Sequence, residues 1–154
     1  MPDRLIRRLE REGKIRKQKA GFVQVEALLK DAILDLEEAR RIQGIAERAI
    51  YLLAYTAMLK AGRALLLLSG YVPDDGAQHK TVVELTSAIL GEKFRDLTEQ
   101  FERMRRKRND LTYQGGTLLS RTEAQNALSS AISFLQNILK KVKAQNPQLE
   151  LTFE

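Results

Sequence analysis

An arginine stands where a helix should bury an apolar residue. From Phe94 the apolar positions run Phe94, Leu97, Phe101, Met104 and Leu111, at steps of three and four, and the residue that completes this stripe is Arg108. Arg105, four residues beyond Phe101, lies on the edge of the same face. A guanidinium buried without a partner is expensive. The spacing therefore predicts one of two things. Either Arg108 pairs with an inward-facing glutamate, for which Glu84 or Glu47 would serve, or it lines a cleft open to water or ligand. Arg103, Arg106 and Lys107 crowd round it, which favours a cleft where a guanidinium fork reads phosphate. Tyr113, five residues on, is placed to hydrogen-bond a ligand, stack on a base or cover the edge of the core.

Other chemistry is thin. His79 is the only histidine, expected in a polar loop spanning 74–79, with no visible route to Arg108. No cysteine occurs, which removes thiol nucleophiles, disulfides and thiolate metal sites. No spacing of His, Asp and Glu suits a metal, so no metal and no cofactor are expected. A glycine-rich phosphate loop, a nucleophile elbow and a paired-histidine zinc motif are all missing.

The net charge of +6 is uneven. Residues 1–20 hold eight basic side chains against Asp3, Glu10 and Glu12, and 102–110 hold five against Glu102 and Asp110. Clusters of this kind suit an anionic partner such as RNA, DNA, a nucleotide or an acidic protein, or form a solvated basic face.

The elements that must position these residues are helices. The 154 residues suit one domain with a real core. Helical stripes are legible over 3–12, 22–43, 45–69, 80–90, 92–112 and 121–144, punctuated by Gly13, Gly44, Gly70 and Gly91. The segment 45–69 is apolar almost all round and belongs in the middle of a bundle. Ser120-Arg121-Thr122-Glu123 is a capping box opening the last helix. No period-two stretch is long enough to argue for a sheet. The expectation is an all-α fold, an antiparallel up-and-down four-helix bundle with an additional short helix: a basic leader at 1–20, the bundle at 21–145 and a loose tail at 146–154. No signal peptide is expected, and the apolar run Ala64 to Leu68 is too short to span a bilayer. The reading is cytoplasmic, with no membrane partner.

From about residue 21 to residue 143 the chain resembles the HEPN domains of prokaryotes. Two stretches carry the resemblance. One is Tyr55-Thr56-Ala57-Met58-Leu59-Lys60-Ala61-Gly62-Arg63-Ala64-Leu65-Leu66, with Gly70-Tyr71-Val72-Pro73 and His79 after it. The other is Arg108-Asn109-Asp110-Leu111-Thr112-Tyr113. The resemblance implies a helical bundle that pairs as a homodimer, so that two motifs share one cleft. Many such domains are metal-independent ribonucleases and toxins, and some are encoded beside a nucleotidyltransferase antitoxin. Arg108 matches the family's motif arginine and Asn109 its polar neighbour, but Tyr113 stands where the motif histidine belongs. A phenol, with a pKa near ~10, is a poor general base at neutral pH. A tyrosine that some toxins carry two positions further on is replaced here by Gly115.

These readings converge on a HEPN-like protein that binds nucleic acid or a nucleotide, within a toxin–antitoxin or defence setting, with a degenerate nuclease motif. Arg105, Arg108, Asn109 and Tyr113 would line the site, and Arg108 and Tyr113 are the candidates for any catalysis. One alternative is an active metal-independent endoribonuclease toxin. Another is a protein-interaction module partnered with a nucleotidyltransferase.

Overall fold

A computed structural model of the chain describes residues 2–19, 21–74 and 78–154. It is all-α apart from one short ribbon. In chain order the elements are α1 (Asp3–Arg11), β1 (Ile15–Lys17), α2 (Phe22–Arg41), α3 (Glu47–Leu68), β2 (Tyr71–Pro73), α4 (Gln78–Leu90), α5 (Arg95–Tyr113) and α6 (Arg121–Gln145). The helical stripes fall within two residues of their expected ends, except that a 3-10 turn, Glu92–Phe94, precedes α5. Gly91, with φ of 79°, makes the reversal into that turn at no steric cost.

α3 is the hub. It packs most extensively against α2 and α6, and it also meets α4, α5 and β2. By length and composition α3 could cross a membrane, but most of it is buried inside the protein, as befits a core helix. Ala54, Ala57, Ala61 and Ala64 are all buried along it and let its neighbours approach. Gly62 takes this furthest. A Cβ placed there would lie 2.9 Å from Val82 Cγ1 and 3.1 Å from Thr86 Oγ1, both on α4, and 3.7 Å from Phe101 on α5.

The basic leader is built into this core. Ile6, Leu9 and Ile15 are buried in the same apolar cluster as the bundle. β1 pairs antiparallel with β2, Ile15 opposite Pro73 and Lys17 opposite Tyr71. Gln18 N–H donating to Gly70 O (2.9 Å) and Asp74 N–H to Lys14 O (2.8 Å) extend the ribbon at both ends. Three-residue strands are too short for alternation to show in a sequence, which is why no sheet was expected. The tail is not loose either. Leu149 and Phe153 are buried, Gln136 Nε2 donates to Phe153 O at 2.9 Å, and the Arg40 guanidinium lies 4.3 Å from the Phe153 ring centroid. The expected capping box of α6 is formed, with Glu123 N–H on Ser120 Oγ at 3.0 Å and Ser120 N–H on Glu123 Oε1 at 3.3 Å.

Because Val82 and Thr86 are themselves buried, they have nowhere to yield to a side chain at position 62. Gly62→Val should lower the stability of the fold by at least about 2 kcal/mol, despite the gain from removing a helical glycine. Urea unfolding, read as a lowered midpoint, measures this directly.

Candidate functional site

The C-terminal end of α5 is tied down by its surroundings. Arg48 on α3 donates to the carbonyl of Leu111, and Thr117 Oγ1 donates to the carbonyl of Asp110 at 3.2 Å. Arg48 thereby satisfies an acceptor that the helix end would otherwise leave open, while the Asp110 carbonyl also accepts from Gln114 N–H at 2.9 Å. Lys107 donates to Leu118 O at 2.6 Å and pairs with Glu123 at 3.2 Å, fastening the connection into α6. The helix end that carries Arg108 is therefore a fixed platform.

On this platform the arginines differ in what they are free to do. Arg105 is occupied, with Nη2 2.5 Å from Glu102 Oε1. Arg106 reaches the same carboxylate at 3.2 Å. Burial pushes the Glu102 carboxyl up, but the hydrogen bonds and charge of Arg105 and Arg106 outweigh this and hold its pKa below the usual value. Arg108 has no such partner. Both glutamates that could have neutralised it are taken: Glu84 by Arg8 at 2.5 Å, and Glu47 by Arg121 at 3.3 Å. Among the described residues, the hydrogen bond Arg108 makes is to Asn109 Oδ1, at 3.4 Å, and no carboxylate pairs with it. It is half-buried, and the ion pair expected with Glu84 or Glu47 does not form.

His79 is the residue that sequence reasoning left aside. It sits in the first turn of α4 rather than in a loop; residues 75–77 of that expected loop lie outside the described residues. Its Nδ1 is 2.9 Å from the hydroxyl of Tyr55 on α3, and the two rings lie 5.7 Å apart. Tyr55 then contacts Phe101 at 5.9 Å, and Phe101 contacts Phe134 at 5.1 Å. A column of rings thus runs from the centre of the core to the imidazole.

Three arginines act on this pair. Burial lowers the His79 pKa, and the positive charges of Arg108, Arg63 and Arg105 lower it further. Burial pushes the Tyr55 phenol far up, and the same three arginines only partly offset this. The imidazole is accordingly neutral at pH 7, and the phenol keeps its proton. Tyr55 is 1% exposed, and Nδ1 of His79 is the acceptor within its reach. If the hydroxyl donates there, the imidazole proton sits on Nε2. His79 then offers a neutral N–H donor beside the Arg108 guanidinium.

The other expected site residues are placed differently. Asn109 is exposed beside Arg108. Tyr113 is 77% exposed at the end of α5, about 7.5 Å along the helix axis from Arg108. Arg105 and Arg108 lie near enough to the His79–Tyr55 pair for their charges to act on both groups, while Asn109 and Tyr113 are exposed. Arg63 and Tyr55 were also overlooked as site residues, although both lie in the α3 segment that carries the family resemblance.

The model of the HEPN domain family matches residues 25–142, most of the chain, and the chain belongs to that family. No curated protein matches it. The matched span holds all of α3, α4 and α5, and with them Tyr55, Arg63, His79, Arg105, Arg108, Asn109 and Tyr113; α1 and β1 lie outside it.

One consequence is open to direct measurement, since a single histidine gives a single imidazole signal. Arg108→Ala removes a positive neighbour, so the NMR-titrated pKa of His79 should rise relative to wild type; an unchanged value would mean that Arg108 does not face the ring. Stability should follow the same group. Above the unfolded-state pKa near ~6.5 both forms of His79 are neutral and its stabilising contribution is complete. As pH falls from there toward the lower folded-state pKa, the unfolded chain takes up the proton first and stability declines.

Proposed function

We propose that this chain is a HEPN protein that binds RNA or a nucleotide through the Arg108 end of α5, and that its nuclease motif is degenerate. The observation that carries the reading is the 2.9 Å contact between the Tyr55 hydroxyl and His79 Nδ1, made beside an arginine that no described carboxylate neutralises. A phosphate oxygen is the ligand that suits a guanidinium fork and a neutral N–H donor together. The same contact weighs against catalysis. A ring nitrogen holding the proton cannot take one from a ribose 2′-hydroxyl, and Tyr113, at the motif histidine position, is a poor base. Asn109 would orient the phosphate, and the exposed ring of Tyr113 would stack on a base. The chain would work as a cytoplasmic homodimer with two such sites.

The test is a titration with a fluorescent single-stranded RNA and, separately, with an adenosine nucleotide. Loss of a charge-assisted contact of about 1.5–3 kcal/mol should weaken phosphate binding about 10- to 100-fold in Arg108→Ala. Tyr113→Ala should weaken RNA binding by a similar factor if its ring stacks. Unchanged affinities in Arg108→Ala would remove this reading. Cleavage of RNA in EDTA by the wild type and not by Arg108→Ala would instead establish the ribonuclease.

A further inference from the structure

The basic leader carries an observation of its own. α1 has four arginines and no lysine, and it lies outside the matched family span. It is not a solvated arm. Ile6 and Leu9 are 4% and 0% exposed, Arg8 is locked to Glu84 at 2.5 Å, and β1 pairs with β2. On the side away from Ile6 and Leu9 stand Arg4, Arg7 and Arg11, all exposed, at steps of three and four. Among the described residues no carboxylate pairs with any of them; Arg7 reaches only the backbone oxygen of Asp3, at 3.4 Å. They share an open surface along α1 with Leu5, Arg8 and Glu10, the one acid among the described residues lining it.

We propose that this face of α1 is a second contact for single-stranded RNA, with Arg4, Arg7 and Arg11 each meeting a backbone phosphate and the surface over Leu5 taking sugar or base. The three charges rise about 4.5 and 6 Å apart along the helix axis. A small anion satisfies one of them at a time, whereas a polymer with a repeating negative charge meets all three. The helix has spent its apolar side in the core, and none of the large exposed apolar side chains lies on α1, so it has nothing to insert into a lipid surface. Guanidinium in preference to ammonium suits phosphate forks. The location fits as well, because Arg8 is anchored on Glu84 of α4, the helix whose first turn carries His79. That the strand held by α1 also reaches Arg108 is part of the proposal and rests on the function proposed above.

The two readings separate in one experiment. A fluorescein-labelled 20-nucleotide poly(U) is titrated by anisotropy at 50 and 200 mM KCl against wild type, the triple variant Arg4→Gln/Arg7→Gln/Arg11→Gln, Arg108→Ala and their combination. A second triple variant, Lys30→Gln/Lys93→Gln/Lys140→Gln, removes the same charge from exposed positions elsewhere. Three lost phosphate contacts should reduce the slope of log K against log salt by about 2 and weaken binding at least about tenfold at 50 mM, in the wild-type and Arg108→Ala backgrounds alike. The lysine variant should keep the wild-type slope. The inference is overturned if the arginine variant binds as wild type does, if the lysine variant loses as much, or if poly-glutamate or anionic phosphatidylglycerol vesicles displace the RNA at equal charge. A loss confined to the arginine variant, with Arg108→Ala unaffected, would sink the Arg108 site and leave α1 standing. No binding by the wild type at 50 mM overturns both.

Discussion

A phenol sealed inside a helical core must give its proton to something. Tyr55 is 1% exposed, and a buried hydroxyl with no acceptor costs about 1–3 kcal/mol. His79 Nδ1, at 2.9 Å, meets that demand, and much else follows from it. The bond holds the imidazole against α3, and with the hydroxyl as donor the ring proton sits on Nε2. It holds the first turn of α4 against α3 at the place where α5 brings up Arg108. With the hydroxyl donating to Nδ1, the aromatic column ends in an N–H donor rather than in a free base.

The backbone geometry that permits this is a matter of small residues. Tyr55 and Gly62 are seven residues apart on α3, about two turns, and so share a face. Both look toward α4 and α5: Tyr55 touches His79 and Phe101, and the space beside Gly62 is filled by Val82, Thr86 and Phe101. A larger residue at 62 would push α4 outward. His79, at the start of the same helix, would have to move with it or twist the helix to stay. The glycine and the hydrogen bond are therefore two ends of one packing contact.

How much of this was legible in the sequence depends on the range over which each signal acts. Helices announce themselves within a dozen residues, because burial on one side enforces a period of three to four, and so α2 to α6 could be read almost to their ends. Arg108 could be read as misplaced for the same reason. Its lack of a carboxylate could not. Glu84 and Glu47 were fair candidates, and only the folded chain shows Arg8 and Arg121 reaching them first. His79 fared worse, since its partner is 24 residues away and the arginines that act on it come from α3 and α5. A ribbon of three-residue strands and a tail held by Leu149 and Phe153 leave no periodic trace at all. Tertiary contacts between short segments decide such features, and local pattern carries no record of them.

The charges at the site work against the fold that holds them. Arg63, Arg105 and Arg108 all depress the His79 pKa and raise the acidity of Tyr55, which means that each feels the same small volume. Glu102 offsets Arg105 and Arg106, yet it sits one turn too early on α5 to do the same for Arg108. A protein selected for stability alone would put leucine at 108 and complete the stripe. Keeping a guanidinium there, with a neutral imidazole beside it and the helix end braced by Arg48, Thr117 and Lys107, leaves a rigid excess of positive potential with an opening toward solvent. An anion bound to the folded state alone would relieve that excess and stabilise the fold by mass action.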